Sequence, residues 1–277
     1  MIGALVDKTS PSEHNVPLMM TLKQRLPVAW SIFRKNAGTL WVATATSHVP
    51  GLALIFIFAF VIKSEAFRPP PPDPGAQWDP TALWRSLGPL SKLSVFVGMF
   101  LNTTVPFAVG LSGVSYVVSC EHRGEDCDIS ELFPRMLKSS LLLIPMFLVL
   151  SFPWMIAHAF FFFPGVILWA LIGFVPCAVA LEQAGPLEAL KISWSITSHQ
   201  FGAIFTLWIF TIFSTLLTLG AVAILLGNLV PDNVAFIFID TVGLAIVAGV
   251  EAFVGCILVG YYLDTRLPKQ NLAATAT

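Results

Sequence analysis

The polar positions of this chain come in clusters, and long apolar stretches lie between them. Residues 36–62, 93–120, 139–181 and 192–231 contain no Asp, Glu, Lys or Arg. A helix needs about 20 apolar residues to cross the hydrocarbon core of a bilayer, and each window exceeds that length. The windows 36–62 and 93–120 hold one crossing each. The 43 residues of 139–181 would run about 65 Å as a single helix, twice the hydrocarbon thickness, so the chain has to turn within them. Pro164-Gly165, directly after Phe160–Phe163, marks that turn. The expected spans are 38–62, 93–119, 140–162, 166–182, 201–227 and 234–263.

A different pattern precedes every second span. Met19, Leu22, Leu26, Trp30 and Phe33 recur at helical spacing, with Lys23, Arg25, Arg34 and Lys35 off that face. Ile129, Leu132, Phe133, Met136 and Leu137 repeat the pattern, and so do Leu187, Leu190 and Trp194 after Pro186. Stretches 18–36, 129–138 and 186–198 therefore read as amphipathic helices lying in the membrane interface. Two of them also match in letters. Trp30-Ser31-Ile32, five residues and Gly38 align with Trp194-Ser195-Ile196, five residues and Gly202. The chain reads as three units, each an interfacial helix plus a transmembrane hairpin, with the middle copy diverged beyond letter matching. The expected fold is all-α: a polytopic bundle of six transmembrane helices with three interfacial amphipathic helices on the cytoplasmic side.

Composition sharpens this picture. The 277 residues are 56% apolar and 11% charged, with mean hydropathy +0.80, against roughly 25% charged residues in a soluble domain. A net charge of −1 excludes the basic surface that nucleic acid requires. No apolar signal-peptide core is visible in residues 1–37, so the first span is expected to act as an uncleaved insertion signal. Lys8, Lys23, Arg25, Arg34, Lys35, Arg123, Arg135, Lys138, Lys191, Arg266 and Lys269 fall on one predicted face, and only Lys63, Arg68, Arg85 and Lys92 on the other. That bias puts both termini in the cytoplasm. Residues 1–17 read as a disordered tail, 18–266 as one membrane domain and 267–277 as a cytoplasmic tail. The outer loop 63–92, with prolines at 69–72 and 74, reads as a stiff spacer. Cys177 and Cys256 fall inside apolar spans. Cys120 and Cys127 flank a solvated loop whose spacing fits no zinc signature.

Pro176, Glu182, Glu188-Ala189-Leu190, Ser193-Trp194 and Tyr262-Leu263-Asp264-Thr265-Arg266 resemble a broad bacterial family. It comprises uncharacterised six-helix integral membrane proteins related to the membrane domain of glycerophosphodiester phosphodiesterases. The resemblance implies an inner-membrane location and cytoplasmic termini. The chain has no appended phosphodiesterase domain, so that activity does not carry over.

Three places invite a chemical reading. Gly110-Leu111-Ser112-Gly113 matches the G-x-S-G of rhomboid proteases, but the last span offers no histidine as base, and small residues that let helices pack account for the motif. Asp240 and Glu251 are carboxylates inside the last span, 11 residues apart and so on one face. Such groups face a bundle interior or a water-filled cavity. His158 lies at a depth similar to Asp240, and His48, Asn102, Thr103 and Thr104 lie nearer the middle. The expected pairings are Asp240 with His158, and Glu251 with His48 or the Asn102–Thr104 cluster. Ala248, Ala252, Cys256 and Gly260 form a small-residue seam that faces either another span or a second copy. No cofactor or metal is expected. The function expected is that of a non-enzymatic accessory or scaffold protein acting through membrane lipids, a protein partner or self-association. The alternative is a small-solute or ion transporter built on the acids of the last span.

Overall fold

The computed structural model describes the backbone of residues 20–61, 104–160, 162–227 and 232–274, with their side chains except at 51–52, 54–61, 151–152, 154–160, 162–163, 219, 223–227, 232–240 and 267–274. The tail 1–17, the loop 63–92 and the first part of the second span, with Asn102 and Thr103, lie outside the described residues. So do the side chains of His158 and Asp240. Every regular element among the described residues is helical. In chain order they are α1 (Leu22–Lys35), α2 (Ala37–Val61), a π-helical turn (Pro106–Gly110) leading into α3 (Leu111–Arg123), α4 (Ile129–Phe160), α5 (Phe162–Ile172), α6 (Val175–Glu182), α7 (Pro186–Gly227) and α8 (Asp232–Ala274). Four segments among these residues are long and apolar enough to cross a membrane: Ile129–Leu150, Pro164–Glu182, Pro186–Val222 and Thr241–Arg266. α8 continues past Arg266 through most of the expected tail.

Two breaks differ from the expectation. Pro164-Gly165 does not form the turn after Phe163; both residues lie inside α5. A proline is tolerated there because the first N–H groups of a helix have no intrahelical partner to lose. The expected fourth span is itself interrupted at Gly173-Phe174, between α5 and α6. Pro176 cannot donate to the turn before it, so the helix restarts at Val175. The freed backbone groups are taken up by α7: Ser193 Oγ accepts from Phe174 N–H at 3.0 Å and donates to Leu171 O at 2.7 Å. Thr197 Oγ1 adds a bond to Ala170 O at 3.1 Å. α6 then ends on Gln183 in the left-handed region, φ 54°.

The internal repeat is visible in the backbone. α1 ends at Asn36, with φ −112° and ψ 20°, and α7 bends at Gln200, with φ −124° and ψ 22°. The two positions are equivalent when Trp30 is laid on Trp194. The same alignment matches buried residues: Arg25 with Ala189, Ala29 with Ser193, Leu40 with Ile204, Ala43 with Leu207. Both tryptophans face outward, Trp30 53% and Trp194 60% exposed. The middle unit departs from this plan. Residues 129–138 are not a separate helix, because α4 runs unbroken from Ile129 to Phe160. Moving the first unit on by 107 residues lays Pro27 on Pro134, and Arg25, Ala29 and Leu40 on the buried Leu132, Met136 and Phe147. It also lays Asn36 on Leu143. Asn36 stands between α1 and α2, with its Nδ2 adding a second bond to Ile32 O beside the ordinary backbone one. At Leu143 the helix continues.

The core centres on α3, α6 and residues 252–263 of α8. Phe107, Phe147, Trp169 and Trp208 pack ring against ring, with centroids from 4.7 Å for Phe107–Trp169 to 6.3 Å for Phe147–Trp169. Gly110 and Gly113 are close-approach positions: a Cβ at Gly110 would sit 3.0 Å from Ser47 Oγ, and one at Gly113 2.8 Å from Met136 Sδ. The seam on α8 resolves inward. Ala248, Ala252 and Cys256 are buried within the chain, Thr44 Oγ1 donates to Ala248 O at 2.9 Å, and a Cβ at Gly260 would collide with the Arg25 guanidinium.

Candidate functional site

Three side-chain bonds join α2 to the middle of α8. Trp41 Nε1 donates to Ala245 O at 2.8 Å, Thr44 Oγ1 donates to Ala248 O, and His48 Nε2 lies 2.9 Å from Glu251 Oε2. Positions 41, 44 and 48 share a helix face, as do 245, 248 and 251, so the two patches meet as a zipper. Glu251 thus has one of the two partners the sequence offered it. The His48 side chain is 3% exposed and that of Glu251 29%. Among the described residues, nothing accepts from or donates to His48 Nδ1, nor to the buried hydroxyl of Thr104. A carboxylate at this position gains from any hydrogen bond, because the surrounding helix faces are apolar and cannot replace its hydration. Chemically, the pair can share one proton. Asp240 lies on the same helix as Glu251 and His158 lies on α4. The pairing expected between these two falls outside the described side chains, as does Asn102.

A second polar layer gathers at one end of the bundle. The Arg25 guanidinium, 4% exposed, pairs with Asp264 and lies over the Tyr261 ring at 5.0 Å. Glu182, closing α6, accepts from Tyr262 OH at 2.5 Å and from Arg266 Nε at 2.7 Å, with Arg266 Nη2 on its other oxygen. About two turns of α8 thereby bind two different units: Gly260, Tyr261 and Asp264 hold α1, while Tyr262 and Arg266 hold α6. Lys35 Nζ donates to Glu121 at 2.8 Å, tying the end of α1 to the end of α3. That lysine, with help from Asn36, holds the Glu121 carboxyl below the usual carboxylate range. Arg135 stacks on Tyr116 at 4.6 Å and bonds Glu131, which begins α4.

The remaining candidates have local explanations. Ser112 is buried, and its Oγ donates to Val109 O at 2.7 Å within its own helix. Cys120 and Cys127 are free thiols. Burial, and then the neighbouring Cys120, push the Cys127 thiol up to about 11, so it stays protonated near neutrality.

Two features escaped the sequence reading. The spacing puts Arg25 on the polar side of its helix, yet it is buried together with Ala29, while Leu26 and Trp30 face outward. The available signal lay on α8, where Gly260 leaves a notch four residues before Asp264. The Glu182–Tyr262–Arg266 contact was present only as residues of the family resemblance, with nothing to show that they touch. The chain matches no family model, no curated protein and no solved structure.

Proposed function

We propose that this chain is a six-span protein of a bacterial inner membrane, with both termini in the cytoplasm. It acts there as a non-enzymatic scaffold or accessory protein through contacts with lipid or protein. The observation that carries this reading is the destination of the polar side chains. Trp41, Thr44, Ser193 and Thr197 bond carbonyls of a neighbouring helix. Thr46, Ser47, Ser115 and Ser140 bond carbonyls of their own. The first four hold helices together, the second four are satisfied within their own helix, and the outward faces are left apolar. In the Pro186–Val222 segment the most apolar window is only 24% buried within the chain. Its exposed Phe210, Phe213, Leu216 and Leu217 offer hydrocarbon or protein a continuous surface. The outward-facing Leu26, Trp30, Leu187 and Trp194 support an interfacial role for the first and third amphipathic stretches. The inner-membrane assignment rests on the lysine and arginine bias and on the motif resemblance.

Transport is the second reading, favoured by one observation: the His48–Glu251 pair lies within apolar helices. Proteoliposomes separate the two. With an entrapped pH-sensitive dye and a panel of small cations and polar solutes, a scaffold leaves vesicle permeability at the level of empty vesicles. Glu251→Gln then changes nothing but the amount of protein in the membrane. A flux above background that Glu251→Gln abolishes at near-normal protein level would replace the scaffold reading with the transport one.

A further inference from the structure

α2 and α4 both rest on the π turn and α3, at the close-approach positions Gly110 and Gly113, and leave an open groove of about 520 Å³ between them. Its wall includes Thr46, Ser47, Val109, Met136 and Ser140, with Phe133 and Leu137 alongside. All three wall hydroxyls are already used: Thr46 Oγ1 donates to Val42 O at 2.5 Å, Ser47 Oγ to Thr44 O at 2.5 Å and Ser140 Oγ to Met136 O at 2.6 Å. A polar solute entering the groove would lose its hydration, find no hydroxyl donor free and meet only three hydroxyl oxygens as acceptors in an otherwise apolar wall. The wall favours an apolar occupant.

The groove's position says which apolar occupant. It lies along Ile129–Leu150, a segment apolar enough to sit in a membrane. It is continuous with the exposed face formed by Leu137, Leu141, Ile144 and Leu148, whose surroundings in a bilayer are hydrocarbon. A helix is 10–12 Å across with its side chains, so this volume would admit little more than one turn of it. A hydrocarbon chain is thin enough to lie along it. We propose that the α2–α4 groove holds one acyl chain of a membrane phospholipid, as a bound lipid distinct from the bulk. The proposal rests on the reading above that this protein works through lipid contacts, and names the place of one such contact.

The full chain, reconstituted at one copy per nanodisc in phosphatidylethanolamine and phosphatidylglycerol, is doped with phosphatidylglycerol carrying a mid-chain diazirine. It is then irradiated and mapped by peptide mass spectrometry. Val109 and Met136 should be labelled several-fold more than Leu216 and Leu217, although the latter pair is far more exposed. Thr46→Phe, which fills the groove, should bring Val109 and Met136 down without changing Leu216 and Leu217. Labelling at Val109 and Met136 no higher than at Leu216 and Leu217 would overturn the proposal even if the variant fails to fold. So would label that Thr46→Phe leaves unchanged, or that appears only when two copies share a disc. Those results would leave the vesicle permeability test untouched, so failure of the groove and failure of the scaffold reading are told apart.

Discussion

Arg25 sits on one side of an unequal ion pair. Its side chain is 5% exposed and that of Asp264 28%, so the two charges do not depend on each other equally. Removing the arginine leaves a carboxylate that water can reach. Removing the carboxylate leaves a guanidinium buried against Tyr261 and Gly260, lowered in pKa chiefly by burial. Asp264→Asn should therefore destabilise more than Arg25→Met. The expected cost is about 2–3 kcal/mol, below the 3–5 of a fully buried pair because Asp264 is partly hydrated. Thermal unfolding in detergent measures the order, and an equal or larger loss for Arg25→Met would contradict it. The contrast between this residue and Glu251 shows what is legible at this scale. An acid inside an apolar span must have a partner, whatever the fold, so Glu251 could be read in advance. An arginine among other basic residues on an amphipathic helix carries no such demand, and only the notch at Gly260 reveals that it is buried.

At the scale of the element, the interruption between α5 and α6 depends on a hydroxyl from another helix. Ser193 is fully buried and serves both Phe174 N–H and Leu171 O. Ser193→Ala should cost about 1–3 kcal/mol, the penalty for buried backbone groups left without partners. Ser195→Ala, on the exposed side of the same turn, should be within about 0.5 kcal/mol of wild type. Comparable losses for the two, again by thermal unfolding, would mean that the break is satisfied some other way. The extent of the long helices was largely legible, because a run without charge must be solvated by lipid or by protein. Their breaks were not. Pro164 and Pro176 look alike in the sequence and both fall in the first turn of a helix, but only at the second do the described residues show the break itself and the Ser193 hydroxyl that serves it. The repeat unit was half legible for a similar reason. Asn36 and Gln200 are polar and end or bend their helices, whereas Leu143 at the equivalent place does not, and letter matching could not reach a copy whose shared feature is a proline.

For the whole molecule, the ion pairs other than His48–Glu251, with the cation–ring contacts, gather in one layer among the described residues that ties α1, α3, α4, α6 and α8 together at their ends. That layer collects Arg25, Lys35, Arg135 and Arg266, which the charge bias had placed on one side of the membrane. The proposed six-span arrangement puts the segments before and after the second span on opposite faces. Single cysteines at Gly75 and Glu125, with the four native cysteines replaced by alanine, should react with an impermeant thiol reagent from opposite faces, Gly75 from outside. Reaction of both from one face would end the six-span reading.

The bends at Asn36 and Gln200 also set how the protein meets bilayers of different thickness. A span that is too long for its bilayer tilts, and one that is too short draws the lipid in. Where an interfacial segment is joined to its span through a bend, the span can change angle while the segment stays on the surface. α2 and α7 have that joint, and α4 does not. In α4 residues 129–138 run into the span without such a joint, although Pro134 and Pro145 each remove one bond of the ladder, so thinning the membrane should move the Phe133–Leu137 edge together with the helix. Two of the three units thus have a joint before the span and one is a continuous helix, and it is the continuous helix that forms a wall of the groove.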